Sequence, residues 1–291
     1  MDAIHYVDMA LGVMPAEPET RHYRWVTPAL ARLVLPVARW VTIDNELSIR
    51  LAFYLVNFTF SLVSCLVLFR LLQLMRFSPM LSILGICVFA SSRVTALVTA
   101  TPMVDAAYFC AIAILVWLAV EKKPHTLAFA LPILILAKET IIPFMLLPLL
   151  TELRKMRIVW IGLAAAAVTF VISKSVVDSH YAMQDASLAA AILEHAGELA
   201  PTLRRLFTPA GIHDVQHGFS LFLPLSVIGA VLNARYRYHE VPVVVIATVP
   251  IAGVLALLSG NTGRMFFAAF PAVIVYALIS VEHVTRVNGP R

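Results

Sequence analysis

The sequence predicts an all-α, polytopic transmembrane helix bundle of about 7–9 membrane segments with amphipathic helices on its outer face. Three observations predict it: 60% of the 291 residues are apolar, 13% are charged, and the mean hydropathy is +0.87. A soluble domain carries about 25% charged residues, roughly twice what this chain offers. Disorder, collagen, coiled coil and disulfide scaffolds are excluded by the same composition. Cys65, Cys87 and Cys110 each sit inside an apolar run, so they report packing and not redox compartment. The net charge of +5 falls largely in short segments between apolar runs, which points to topology and not to nucleic acid.

Residues 1–50 read as an outer-face segment, 51–282 as the bundle and 283–291 as a cytoplasmic tail. Residues 1–24 hold no apolar core of a cleavable signal and carry Asp2, Asp8, Glu17, Glu19, Arg21 and Arg24. In 26–42 the apolar positions are interrupted by Arg32 and Arg39, seven apart and so nearly on one helical face, which predicts an interfacial helix. Apolar runs then place spans at about 51–69, 80–98, 103–120, 158–174, 219–234, 241–259 and 265–281. The stretch 125–150 is apolar up to Ala137, breaks at Lys138-Glu139 and resumes from Ile141 to Leu150 with Pro143 and Pro148. It reads as two short helices forming a hairpin, each short of the roughly 30 Å hydrocarbon core, with the break in a water-filled or protein-lined recess.

The charges between segments alternate. Arg70 and Arg76, Lys122 and Lys123, Arg154, Lys155 and Arg157, Arg235 and Arg237, and Arg286 and Arg291 fall on one side, which the positive-inside rule makes cytoplasmic. The inner, cytoplasmic membrane of a cell is the expected location. Five Arg within residues 1–50 then lie outside, and a further helix is expected ahead of residue 1 to carry that segment across. The outer face gathers Asp2, Asp8, Arg21, Arg24, Asp105, Lys138, Glu139, the loop 178–218 and Arg264. Ionisable groups at membrane depth face a cavity and pair with one another or with a ligand, so this surface is the expected site. The loop 178–218 reads either as a lid over that cavity or as an extramembrane helix packed on the bundle.

The segments DAIHYVDMALG, RHYRWVTPALARLVLP, TPMVDAAYF, ILAKETIIPF and GRMFFAAFP, in that order, resemble the GT-C superfamily of membrane glycosyltransferases. The resemblance spans most of the chain. It implies transfer of a sugar from a polyprenyl-phosphate donor to an acceptor whose identity the residues do not specify, in contact with membrane lipid and without nucleic acid. It also implies that Asp2, followed by Tyr6 and Ala10, occupies the position of the catalytic acid. Residues 1–291 are expected to depart from the family pattern in two ways, in lacking the family's first helix and a sizeable soluble domain after the last span.

Inverting transfer needs a base for the acceptor's proton and cations for the leaving phosphate. Asp2 is the expected base and Asp8 the second choice. Arg21, Arg24, Lys138 and Arg264 are the expected phosphate ligands, with Glu139 and Asp105 completing the substrate site. Lys138-Glu139 has a plainer alternative, an adjacent pair neutralising itself in the bend. Asp105 has two, a pairing with Arg93 and a divalent cation, which is the one cofactor left open. His213 and His217 have the i, i+4 spacing of a metal helix but lack the Glu that zinc peptidases place after the first His. No Gly-rich phosphate loop and no GxSxG elbow is present. A transporter or flippase, or a non-catalytic scaffold subunit, are the rival functions.

Overall fold

The computed structural model describes residues 2–13, 24–42, 44–180, 197, 199–259 and 262–288. These form helices and turns and no strand. The helices are α1 (Asp2–Leu11), α2 (Val26–Val41), α3 (Asn45–Leu74), α4 (Pro79–Ser91), α5 (Arg93–Ala100), α6 (Asp105–Val120) and α7 (Pro124–Leu134). A run of short helical turns, α8 (Glu139–Leu150), follows, then α9 (Arg157–His180), α10 (199–206), α11 (Pro209–Phe219), α12 (Phe222–Tyr236), α13 (Val243–Ser259) and α14 (Thr262–Val287).

Three of these, α3, α9 and α14, are long and apolar enough to cross a membrane, and a fourth span arises if α4 and α5 count as one. The continuous helix expected over 80–98 is instead bent by 57° between α4 and α5. Ser92 is the cause: it leaves the helical region at φ −62°, ψ 141°, and its hydroxyl accepts from the Thr95 N–H, starting a new helix. The helices at the other expected spans are shorter. At 1.5 Å per residue the 16 residues of α6 rise about 24 Å, less than the hydrocarbon thickness. The expected run over 103–120 includes Met103 and Val104, which add hydropathy but precede the helix. Among the described residues three or four helices are thus long and apolar enough to span, and the other expected segments are shorter apolar helices.

α6 is the axle. Its apolar residues run right round the helix, so it has no solvent face, and nearly every side chain from Asp105 to Ala119 is buried. It contacts α3, α5, α7, α8 and α13. The two halves expected in 125–150 are present as α7 and α8, with the chain extended at Lys138 between them. α9 lies along α7 where Gly162 faces the Ala128 backbone, which leaves no room for a Cβ. A second, smaller core seats α1 and α2 on the first half of α3: Tyr6, Met9, Ala31, Leu35, Ile49, Phe53 and Val104 close together. α2 buries Thr27, Ala31, Leu35 and Ala38 and exposes Leu33, Val37 and Trp40, with Arg32 and Arg39 on the open side.

At one end of the bundle His239 joins three elements. Its Nδ1 lies 3.0 Å from the Met75 carbonyl oxygen and its Nε2 lies 2.5 Å from Glu282 Oε2. The α3–α4 turn, the 237–242 loop and the last turns of α14 thus meet at the end where the charge alternation put Arg76, Arg237 and Arg286.

α12 meets α14 at Gly229, where an added Cβ would collide with the Tyr276 carbonyl. Overpacking at such a contact costs about 1–3 kcal/mol. Gly229→Ala is therefore expected to lower the melting temperature of the purified protein. An unchanged melting temperature would show that the α12–α14 contact tolerates separation.

Candidate functional site

The site is built on Asp105, the first residue of α6, whose side chain is only 4% exposed. A carboxylate taken out of water must be neutralised, and each of its oxygens meets one cation. Lys138 Nζ donates to Oδ1 at 2.7 Å, and Arg264 Nη1 lies 3.3 Å from Oδ2. Lys138 is itself wholly buried, with its ammonium 5.3 Å from the centre of the Tyr108 ring.

Backbone geometry explains how neighbours in sequence serve different partners. Lys138 is extended, at φ −172° and ψ 143°, so its side chain and that of Glu139 point to opposite sides of the strand-like link. Lys138 goes to Asp105, while Glu139 takes Arg24, whose Nε donates to Oε1 at 2.9 Å and to Oε2 at 3.0 Å and whose Nη2 also contacts Oε1. The adjacent pair neutralising itself is thereby corrected. Arg24 Nη1 in turn donates to the hydroxyl of Tyr6, at 3.2 Å, on α1. Burial raises the Tyr6 hydroxyl above its ordinary pKa, and the guanidinium beside it pulls the other way. Burial disfavours the charge on Arg24, yet the Glu139 carboxylate overrides it and holds the guanidinium above its ordinary value.

Arg264 closes the chain on the wall of a cavity of about 540 Å³. Among the described residues, Arg93 from α5, Arg205 from α10, His213 and Asp214 from α11, and Thr262 at the start of α14 share its polar lining. Arg205 pairs with Asp214 at 2.5 Å. The described part of the 178–218 segment, α10 and α11, is therefore a helical wall of this cavity. Gly263 is what lets α11 come so close, because a Cβ there would collide with the Asp214 carbonyl.

The structure brings together five of the expected residues: Arg24, Asp105, Lys138, Glu139 and Arg264. Lys138 lies behind Asp105 and outside the cavity lining, so the structure gives it the role of counterion in place of phosphate ligand. Arg93, expected beside Asp105, lines the cavity instead, and both Asp105 oxygens already hold side-chain cations where a divalent ion was left open. Asp8 is half-buried on α1. Asp2 is the first residue of α1, but its side chain lies outside the described residues, as do Arg21 and the His217 side chain. Among the described residues no group of three His, Cys, Asp or Glu could hold a metal ion. Sequence reasoning missed Tyr6, Arg205, Asp214 and Thr262 as site residues. For Tyr6 a signal existed, an aromatic one turn after Asp2, and for Asp214 its place between His213 and His217; Arg205 carried none. Searches of family models, curated proteins and solved structures find no match to this chain.

Removing one member of a buried ion pair leaves the other uncompensated, at about 3–5 kcal/mol. Lys138→Met is accordingly expected to destabilise the protein strongly. The double variant Lys138→Met, Asp105→Asn is expected to lose less than the sum of its parts, by at least about 1 kcal/mol in a denaturation cycle. Additive losses would show that the two residues do not act as a pair.

Proposed function

We propose that the chain is an integral membrane glycosyltransferase of the GT-C kind, which transfers a sugar from a polyprenyl-phosphate donor to an acceptor at the outer face of the cytoplasmic membrane. The observation that supports this reading best is a pair of polar clusters joined through the Lys138–Glu139 peptide link: Tyr6, Arg24 and Glu139 on the α1 side and Lys138, Asp105 and Arg264 on the cavity side. It links the segment bearing the proposed bases to a cationic pocket, at the level of the bundle that the charge pattern makes the outer one. Four apolar segments, α3, the α4–α5 pair, α9 and α14, supply spans, and the shorter helices pack among them.

In this reading Asp2 or Asp8 takes the acceptor hydroxyl's proton as that oxygen bonds to the sugar's anomeric carbon. The bond from that carbon to the phosphate oxygen breaks, and the phosphate leaves with the electron pair. Its charge grows from one negative to two, so cations fixed in advance favour the transition state over the ground state. Arg264 is the cation placed for this, held by Asp105, with Lys138 keeping Asp105 from claiming Arg264 outright. Arg24 and Glu139 anchor α1 through Tyr6, the helix that carries Asp8.

A transporter would also use broken apolar segments, and among the described residues the wide breaks lie at Ser92 and at 135–138, with a single-residue interruption at Ala247. The two wide breaks fall in the first half of the chain, whereas inverted repeats place matching ones in each half.

The test is sugar transfer from a panel of polyprenyl-phosphate sugars in membranes that contain the chain. Replacing the true base, by Asp2→Asn or Asp8→Asn, is expected to cut transfer about 10²–10⁴-fold with insertion unchanged. Arg264→Gln is expected to cost about 10²–10³-fold. Transfer that survives both carboxylate variants would remove the base assignment. No transfer from any donor by the folded protein would shift the reading to a transporter or scaffold.

A further inference from the structure

We propose that Met103 is an oxidation site that controls Arg264: a peroxide entering the cavity between α5, α11 and the start of α14 converts its thioether to the sulfoxide, which draws Arg264 away from Asp105. The proposal stands on the contact between Met103 and Arg264 and not on the glycosyltransferase reading.

The geometry begins at the short link between α5 and α6. Residues 101–104 turn tightly, with the Met103 N–H donating to the Thr101 carbonyl at 2.7 Å, and Met103 stands two residues ahead of Asp105. Both side chains then meet the same nitrogen. Arg264 Nη1 donates to the Met103 sulfur at 3.4 Å and lies 3.3 Å from Asp105 Oδ2. A thioether is a weak acceptor beside a carboxylate, so the ion pair holds the guanidinium and the sulfur is the lesser partner.

Access is the second observation. Met103 is half-buried and lines the cavity of about 540 Å³ beside Arg205 and Asp214. A water occupies about 30 Å³ in the liquid, and a hydroperoxide is little larger, so the oxidant fits. Among the described residues Met9, Met75, Met145 and Met265 are buried, whereas Met80 and Met156 are exposed. Met103 differs from both groups in combining a cavity with a charged partner on its sulfur.

The reaction is a two-electron transfer of one oxygen. A peroxide oxygen bonds to a sulfur lone pair, the O–O bond breaks, and the other oxygen leaves as water; sulfur is oxidised and the peroxide reduced. Arg264 covers one lone pair, so oxygen adds at the other and one sulfoxide epimer forms. The product is polar, and its oxygen is a stronger acceptor than the thioether. With three rotatable bonds the side chain can bring that oxygen to the guanidinium in competition with Asp105, and the buried carboxylate loses part of its neutralisation. The return step takes a thiol reductant specific for that epimer: two thiols become a disulfide and the oxygen leaves as water.

The experiment treats the purified full chain in detergent with dilute hydrogen peroxide and follows peptide masses, melting temperature and the side-chain signals of ¹⁵N-labelled arginine. Met103 is expected to gain one oxygen at least about tenfold faster than buried Met145. The Arg264 signal is expected to move, and the melting temperature to fall by at least about 2 °C. Two sulfoxide reductases exist, one for each epimer; one is expected to reverse both changes and the other neither. Met103→Leu, a swap that conserves volume, is expected to fold and to melt at a temperature that peroxide leaves unchanged.

Oxidation of Met103 no faster than Met145 would overturn the proposal, as would an Arg264 signal that stays in place once Met103 carries oxygen. An equal fall in melting temperature in Met103→Leu, or both epimers in equal amounts, would overturn it too. A control that works in a chain without sugar transfer would keep the proposal and remove the glycosyltransferase reading. Sugar transfer unaffected while the Arg264 signal moves would keep the control and take Arg264 out of the transfer step.

Discussion

A carboxylate buried in a bundle of apolar helices has to be neutralised where it stands, and Asp105 imposes that demand at the head of the most buried helix. Its two oxygens take one cation from each side of the bundle, Lys138 from the break between α7 and α8 and Arg264 from the start of α14. The break in 125–150 and the polar start of the last long helix are both consequences. Helical chain through 135–139 would carry the ammonium of residue 138 off its line to Asp105, and an apolar residue at 264 would leave one oxygen of that carboxylate bare.

The extended residue at Lys138 has a second effect. Because it turns Glu139 the other way, a single interruption of the apolar run serves two partners, one inside the bundle and one on the segment that precedes it. Arg24 bridges Glu139 to Tyr6, so α1 is held by polar contacts at one end and by the small core around Phe53 and Val104 along its length. Charge neutralisation in the interior thereby helps to decide where α1 sits. Of the two cations on Asp105, Arg264 also lines the cavity, whereas Lys138 stays behind the carboxylate.

Much of this was readable from residue order. The all-α class, the apolar segments, the break at Lys138-Glu139 and the amphipathic helix over 26–42 follow from hydropathy and charge spacing, which are local quantities. Five of the eight expected site residues converge for a related reason: a charge within an apolar run has no neighbour in sequence to satisfy it and must find one in space. The unreadable parts are those where polarity was unremarkable. Arg205 looks like a loop charge, and Thr262 is a small polar residue at a helix start; only their meeting across α10, α11 and α14 marks them.

Sequence by itself determined that this chain is helical and apolar enough to seek a membrane, where its helices break, and which charges could not be left alone. Tertiary structure decided the pairings: Lys138 with Asp105 and not with its neighbour, Glu139 with Arg24, Arg264 with Asp105. It also decided how many helices are long enough to span, since caps and turns add hydropathy without adding rise. The physical reason is the same in each case. Hydropathy sums over neighbours along the chain, whereas neutralisation and close approach are settled between segments that the chain brings together only when it folds.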